Sequence, residues 1–215
     1  MIDVHPPNEP IHSWRDFSIH LVTITIGLVI ALSLEGLVEW RHHKALVHEA
    51  QASLHVEIEA NSRELQKALN DVDAEQKQLV NDLVILQKII DNPKAPNPGK
   101  PRIDIQIPPF DDVSWETAKA TGALSYMPYE EAHRYSDIYK KQDEVDVAEH
   151  QALNDVVLSV ALSPFLEPAN TKFNPDDAQI MKQRIKVLRV RLRLLAVLIQ
   201  DLDEKYQKFL AAHPG

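Results

Sequence analysis

The sequence contains no cysteine, which excludes disulfide bonds, thiol nucleophiles and zinc–thiolate sites. This absence fits either side of a bacterial inner membrane. Glycine is also scarce, with 5 among 215 residues, and this disfavours a turn-rich β architecture. The formal net charge of −9 makes the chain as a whole a poor binder of nucleic acid.

Formal charge is missing altogether from residues 17–34. Trp14 and Trp40 flank this apolar run, and a helix joining them rises about 39 Å, close to the thickness of a bilayer with its headgroups. Tryptophan favours the headgroup zones. The sequence therefore predicts an N-terminal tail over 1–16 and a transmembrane helix over 17–39.

Two alternatives to a permanent anchor are a cleaved signal peptide and a buried helix of a soluble protein. Ala31-Leu32-Ser33 is an acceptable cleavage site. However, Arg15 is the only basic residue ahead of the run and Asp16 offsets it, while the run is longer than a normal signal core. These features favour a single-pass anchor.

The side of the membrane that the rest of the chain occupies is left open. Arg15 precedes the predicted span, and Arg41 and Lys44 follow it. The positive-inside rule leans toward a cytoplasmic C-terminal domain, whereas short N-terminal anchors commonly carry periplasmic ones.

The predicted span has a candidate contact face of five residues on one narrow stripe: His20, Thr23, Gly27, Ala31 and Glu35. Gly27-x-x-x-Ala31 is a small-xxx-small pattern, which lets two helices approach closely. We expect this face to support self-association as a homo-oligomer. The alternative is that small residues are simply common in such helices, with His20 near the interface.

A long helix is predicted over 40–91, because no proline or glycine occurs from Trp40 to Ile90. Its expected buried seam alternates spacings of four and three and consists of Val72, Gln76, Leu79, Leu83, Leu86 and Ile90. A proline-rich linker over 92–112 follows, in which Ile103, Ile105 and Ile107 predict a short extended piece.

The remainder, 113–212, is predicted to hold three helices over 113–121, 128–162 and 175–212. Asp112 or Ser114 is expected to cap the first, and Gly122 to end it. Asn174 is expected to cap the last, with Pro175 in its first position.

The last helix has the strongest periodicity in the chain. Its apolar residues alternate spacings of four and three over four heptads: Met181, Ile185, Leu188, Leu192, Leu195, Ile199, Leu202, Tyr206 and Phe209. We therefore predict an all-α fold, a single transmembrane helix continuing into an elongated antiparallel helical bundle with coiled-coil-like packing.

Charge is distributed unevenly between the last two helices. Residues 182–193 are rich in lysine and arginine, and residues 143–155 of the preceding helix are rich in acids. We expect these charges to pair across neighbouring helices. Binding of anionic lipid or nucleic acid is the alternative, which the overall acidity does not support.

Histidines follow the predicted span at positions 42, 43, 48 and 55, with Glu39 and Glu59 at helical spacing from two of them. A histidine–glutamate pair can hold a metal, but one helix cannot supply three or four converging ligands. We interpret them as solvated and predict no metal and no cofactor.

Aromatic residues are concentrated in one segment, from Trp115 to Tyr139. The candidate cluster is Trp115, Gly122, Tyr126, Tyr129, Tyr135 and Tyr139. It could line a small-molecule or peptide pocket. Alternatively, the tryptophan closes the end of the bundle and the tyrosines cover its rim.

No catalytic motif was found: there is no nucleophile elbow, phosphate loop, dinucleotide loop or paired metal motif. We therefore assign no catalytic residues and do not expect an enzyme. The favoured function is a membrane-anchored interaction or scaffolding protein, whose partners are the bilayer, its own copies and other membrane-proximal proteins. A sensory or ligand-binding bundle is the alternative.

Two segments carry a resemblance to a class of proteins. They are the Gly-Leu-x-Ile-Ala-Leu core at 27–32 and the Trp-x5-Thr-Gly segment from Trp115 to Gly122. The chain resembles an uncharacterised class of bacterial single-pass membrane proteins over about two thirds of its length. The resemblance implies a bacterial membrane location and a helical domain. It carries no activity and no catalytic residues over to this chain.

Overall fold

The computed structural model describes residues 13–94, 101–103, 109–161 and 174–213. Five helical elements lie there: α1 (Trp14–Asp91), α2 (Val113–Ala120), a 3-10 turn (Ala123–Tyr126), α3 (Tyr129–Val160) and α4 (Pro175–Ala212). These residues contain no strand, which confirms the all-α prediction. The chain divides into two compact units between Glu49 and Ala50, and α1 contributes residues to both.

The first unit contains the N-terminal part of α1. This helix includes a stretch long and apolar enough to cross a membrane, and none of that stretch is buried. Trp14 is 80% exposed and Trp40 is 58% exposed. Apolar side chains without any protein cover are what a lipid-facing helix presents.

In the second unit, α1 has a strict seam with alternating spacings of four and three. Its buried members are Leu54, Ile58, Asn61, Leu65, Ala68, Val72, Glu75, Leu79, Asp82, Leu86 and Ile89. The predicted seam was wrong at three positions, since Gln76, Leu83 and Ile90 are only half-buried. The run of buried residues that starts at Leu54 determines which positions of α1 face the core. These positions include two acids, Glu75 and Asp82.

The seam predicted for α4 is confirmed, because every residue from Met181 to Phe209 named for it is buried. The predicted cap is confirmed as well. The Asn174 side chain accepts a hydrogen bond from the Asp176 N–H at 3.1 Å, and Pro175 is the first helical residue.

Hydrogen bonds between helices show how α1, α3 and α4 run in this unit. Between α1 and α3, the residue numbers of the bonded partners increase in the same direction, so the two helices are parallel. The pairs are Gln51 with Glu131, Glu57 with Tyr139, and Asn61 with Gln142. From α1 to α4, one number rises as the other falls: His55 with His213, Ser62 with Gln207, Gln76 with Arg189. Hence α4 is antiparallel to both other helices, which run parallel to each other.

Around α2 the structure corrects a local prediction. Asp112 precedes the helix without a side-chain cap, and Ser114 lies inside it. Gly122 follows the helix with φ of 76°, as its predicted role at the C-terminal end requires, and the 3-10 turn comes next. In the linker, Ile105 and Ile107 lie outside the described residues.

Candidate functional site

The predicted membrane contact face is exposed along its whole length on α1. His20, Thr23, Gly27, Ala31 and Glu35 are all exposed. The Thr23 hydroxyl donates to the Ile19 carbonyl at 2.9 Å. A Cβ added at Gly27 would meet no atom within 4 Å. The stripe is therefore open at Gly27, and its Thr23 hydroxyl is already satisfied within the helix.

The predicted aromatic cluster separates into two parts. Tyr135 and Tyr139 are buried, whereas Tyr126 and Tyr129 are 51% and 78% exposed. The Trp115 ring stacks on the Tyr139 ring, with centroids 4.9 Å apart and planes inclined by 6°. The two exposed tyrosines thus lie at the surface, whereas Trp115 is half-buried against Tyr139.

Glu57 of α1 lies at the centre of this contact and is only 8% exposed. One carboxyl oxygen accepts from the Tyr139 hydroxyl at 2.5 Å, and the other accepts from the Ser114 backbone N–H at 2.6 Å. An acid from a distant helix thereby satisfies a first-turn N–H of α2. This explains why α2 needs no cap from its own sequence.

A second bonded group lies one helical turn further along α1, at Asn61. Its side-chain oxygen accepts from the Asp111 N–H at 2.9 Å, and its amide donates to the Asp111 carbonyl at 2.7 Å. Gln142 of α3 also donates to that carbonyl, at 3.1 Å. The Tyr206 hydroxyl of α4 donates to Gln142 at 2.7 Å. The stretch from Asp111 to Gly122 is called here the Trp115 segment. A buried polar network therefore joins all three long helices to its start.

The buried tyrosines remain protonated donors. Burial is the main cause that raises the pKa of Tyr139, and its hydrogen bond to Glu57 adds to the rise. Burial likewise raises the pKa of Tyr206. It raises the pKa of Tyr135 to about 12, with a contribution from nearby Glu131. The network thus consists of neutral phenols and amides around one buried carboxyl group.

Further core acids have perturbed ionisation. Asp82 is fully buried and accepts from the Arg102 N–H at 3.1 Å and from Gln78 at 2.9 Å. Burial raises the pKa of Asp82, against the effect of these bonds. Burial also raises the pKa of Glu149, and the charge of nearby Asp146 raises this pKa further. Asp82 attaches the 101–103 segment to α1, as Asn61 does for Asp111.

The expected charge pairing between α3 and α4 is present in part. Arg191 forms an ion pair with Asp155, and its guanidinium also donates to Gln151 at 2.8 Å. Lys205 pairs with Asp137, although both residues lie outside the ranges that the expectation named. These pairs have antiparallel register and lie at the edges of the buried seam, where they orient the two helices.

The histidines are distributed without a shared centre. His43 lies 3.9 Å from Glu39, and the His55 ring contacts the His213 carbonyl at 2.7 Å. Across the described ranges, no three histidine or acidic side chains converge in a way that could hold a metal ion.

Sequence reasoning missed Glu57, Asn61, Gln142 and Tyr206 as members of one site. A signal for Asn61 was present, since it occupies a seam position in the run from Leu54. Comparison of the chain with protein-family models, curated proteins and solved structures found no match.

Proposed function

We propose that this chain is a membrane-anchored scaffolding protein that self-associates through its spanning segment and has no catalytic activity. In this proposal α1, α3 and α4 form an elongated helical bundle with coiled-coil-like packing. Two observations carry the proposal: the apolar stretch of α1 is uncovered in the first unit, and long buried seams occur in the second. The resemblance described above supports a bacterial membrane as its location, and the inner membrane is the one we propose.

The buried network supports a structural role for the Trp115 segment. Its polar groups bond to one another and to backbone, and these bonds fix where α2 begins. A buried polar network whose members are hydrogen-bonded favours a single, rigid arrangement of the surrounding helices. Rigid helical surfaces are suited to holding partners in fixed positions.

The exposed Gly27 supports self-association. The space beside it is open in the single chain, and close helix approach in a bilayer requires such small residues. We expect the detergent-solubilised protein to have the mass of an oligomer by light scattering. Gly27→Ile should reduce that mass toward the monomer.

Gly36 offers a matched control. It lies nine residues further along α1, about two and a half turns, and therefore on the opposite side of the helix. A Cβ there also meets no atom within 4 Å. Gly36→Ile should leave the mass unchanged. A monomeric wild-type protein, or equal effects of the two substitutions, would refute self-association through this face.

Anchoring is tested separately by a pair of C-terminal topology reporters, one active only in the cytoplasm and one only in the periplasm. An anchored chain activates one of the two and stays in the membrane fraction. The same pair assigns the side of the C-terminal domain. A soluble, released protein would refute the anchor.

Ligand binding at the Trp115–Tyr139 segment stays a prediction. A ligand that binds there should raise the melting temperature of the protein. Substitution of Trp115 should remove that rise. Trp115 stacks on the buried Tyr139, so the contact of the Trp115 ring is a packing contact.

A further inference from the structure

The outer face of α4 carries a second apolar stripe that nothing described in the structure covers. Its members, called here the outer stripe, are 46% to 66% exposed: Ile180, Val187, Val190, Leu194 and Val197. From Val187 to Val197 they alternate spacings of three and four. At a heptad period, these positions lie on the opposite side of the helix from the seam of Met181, Ile185 and Leu188.

A helix with apolar rows on two opposite faces is typical of one that packs on both. The inner row of α4 faces α1 and α3. The outer stripe has the narrow two-row form of a helix-packing seam. Single exposed apolar residues are ordinary, but a continuous row at this spacing indicates an interaction site.

The charges beside the outer stripe define what fits it. No acid occurs in α4 between Asp177 and Asp201. Lys186 and Arg193, one heptad apart, flank one side and are exposed. Among the described residues, no ion pair satisfies either of them. Arg184 and Arg191 flank the other side and reach toward α3.

Two other occupants fit the outer stripe less well. Pairing the outer stripe with that of a second copy would bring basic flanks against basic flanks, which is destabilising. A lipid-binding helix presents a wide apolar face with aromatic anchors. The outer stripe is narrow and contains only Ile, Val and Leu.

We propose that the outer stripe is a docking site for an amphipathic helix of another protein, whose apolar row is flanked by acidic residues. The partner helix would pack its a and d side chains between Val187 and Val197 and place its acids against Lys186 and Arg193. This inference rests on the proposed scaffolding function and identifies its interaction surface.

The test uses the full chain in nanodiscs of zwitterionic lipid and a fluorescent four-heptad peptide. The peptide has Leu or Ile at its a and d positions and Glu at e and g, so that its charges oppose pairing with itself. A second peptide carries Lys at e and g. Binding is measured by fluorescence anisotropy. We expect the acidic peptide to bind at least tenfold more tightly than the basic one.

Three variants locate the site. Val190→Glu with Leu194→Glu should weaken binding of the acidic peptide at least tenfold without changing the melting temperature, since both side chains are exposed. Lys186→Glu with Arg193→Glu should reverse the preference toward the basic peptide. The matched control is Val56→Glu on α1, 63% exposed, which should change nothing.

Several results would overturn the proposal. They are equal binding of both peptides, no binding of either, or insensitivity to the outer-stripe substitutions. A fall in oligomeric mass caused by Val190→Glu with Leu194→Glu would assign the stripe to a second copy. Loss of binding to phosphatidylglycerol vesicles without any peptide binding would assign it to the membrane. The Gly27→Ile result is independent of all these outcomes.

Discussion

Replacing Glu57 with alanine should release the Trp115 segment from the core. The carboxyl group accepts from two donors on different elements, the Tyr139 hydroxyl and the Ser114 N–H. Alanine leaves both donors without a partner, and Tyr139 is only 2% exposed. No other side chain is described as bonding to either donor.

The magnitude follows from the cost of unpaired buried donors. Each costs about 1–3 kcal/mol, so Glu57→Ala should lower the free energy of unfolding by about 2–6 kcal/mol. That is a large share of a typical total of about 5–15 kcal/mol. Tyr139→Phe removes one donor and leaves the Ser114 bond, so its cost should be smaller, about 1–2 kcal/mol. Glu57→Gln keeps one acceptor and should fall between wild type and alanine.

Trp115 provides a local probe. The chain has three tryptophans, and Trp14→Phe with Trp40→Phe leaves Trp115 as the single emitter. Urea unfolding followed by its fluorescence gives the free energy of unfolding for each variant. Hydrogen exchange of the 113–120 amides then shows whether protection is lost first in α2, as the Ser114 bond requires.

The double-mutant cycle between Glu57→Ala and Tyr139→Phe is decisive. Because the two side chains share a bond, we expect a coupling energy of about 0.5–3 kcal/mol. Strict additivity would refute the Glu57–Tyr139 bond. A loss below about 0.5 kcal/mol for Glu57→Ala, with α2 protection intact, would refute the whole argument that Glu57 holds the segment.

Two further predictions concern Asp82 and Gly122. Burial raises the Asp82 pKa above its ordinary 3.8, so the folded state binds this proton more tightly than the unfolded state. The Asp82 contribution to stability is therefore greatest below that ordinary value and declines as the pH rises through the raised pKa. Asp82→Asn should gain stability relative to wild type as the pH rises above that ordinary value in urea titrations, and a constant difference would contradict this sign. Gly122→Ala should cost about 1–2 kcal/mol because φ is 76°, with no steric contact to a new Cβ. Gly122→Asn should cost less, and equal losses would show that backbone strain is not the cause.

Periodicity predicted most of the helical framework. The α4 seam and its cap at Asn174 follow from residues that neighbour one another along the helix, so local patterns suffice. The apolar stretch near Trp14–Trp40 is equally local, because it needs only length and the absence of charge. The open contact face around Gly27 could be placed on one side of α1 for the same reason.

The phase of the α1 seam could not be chosen so easily. Between Val72 and Leu86 the sequence favours Leu83 over Asp82, because an apolar residue is the cheaper one to bury. The structure buries Asp82 since the longer run from Leu54 keeps the heptad in register. The Arg102 N–H and Gln78 then supply the bonds that a buried acid requires.

The sequence by itself determined the all-α class, the apolar stretch of α1 and the buried row of α4, because each depends on residues close together in the chain. Only the tertiary structure decided that Glu57 caps α2, that Asn61 and Gln142 share the Asp111 backbone, and that Trp115 rests on Tyr139. Those partners are separated by 24 to 57 positions. A polar side chain does not reveal which distant donor will satisfy it until the helices pack.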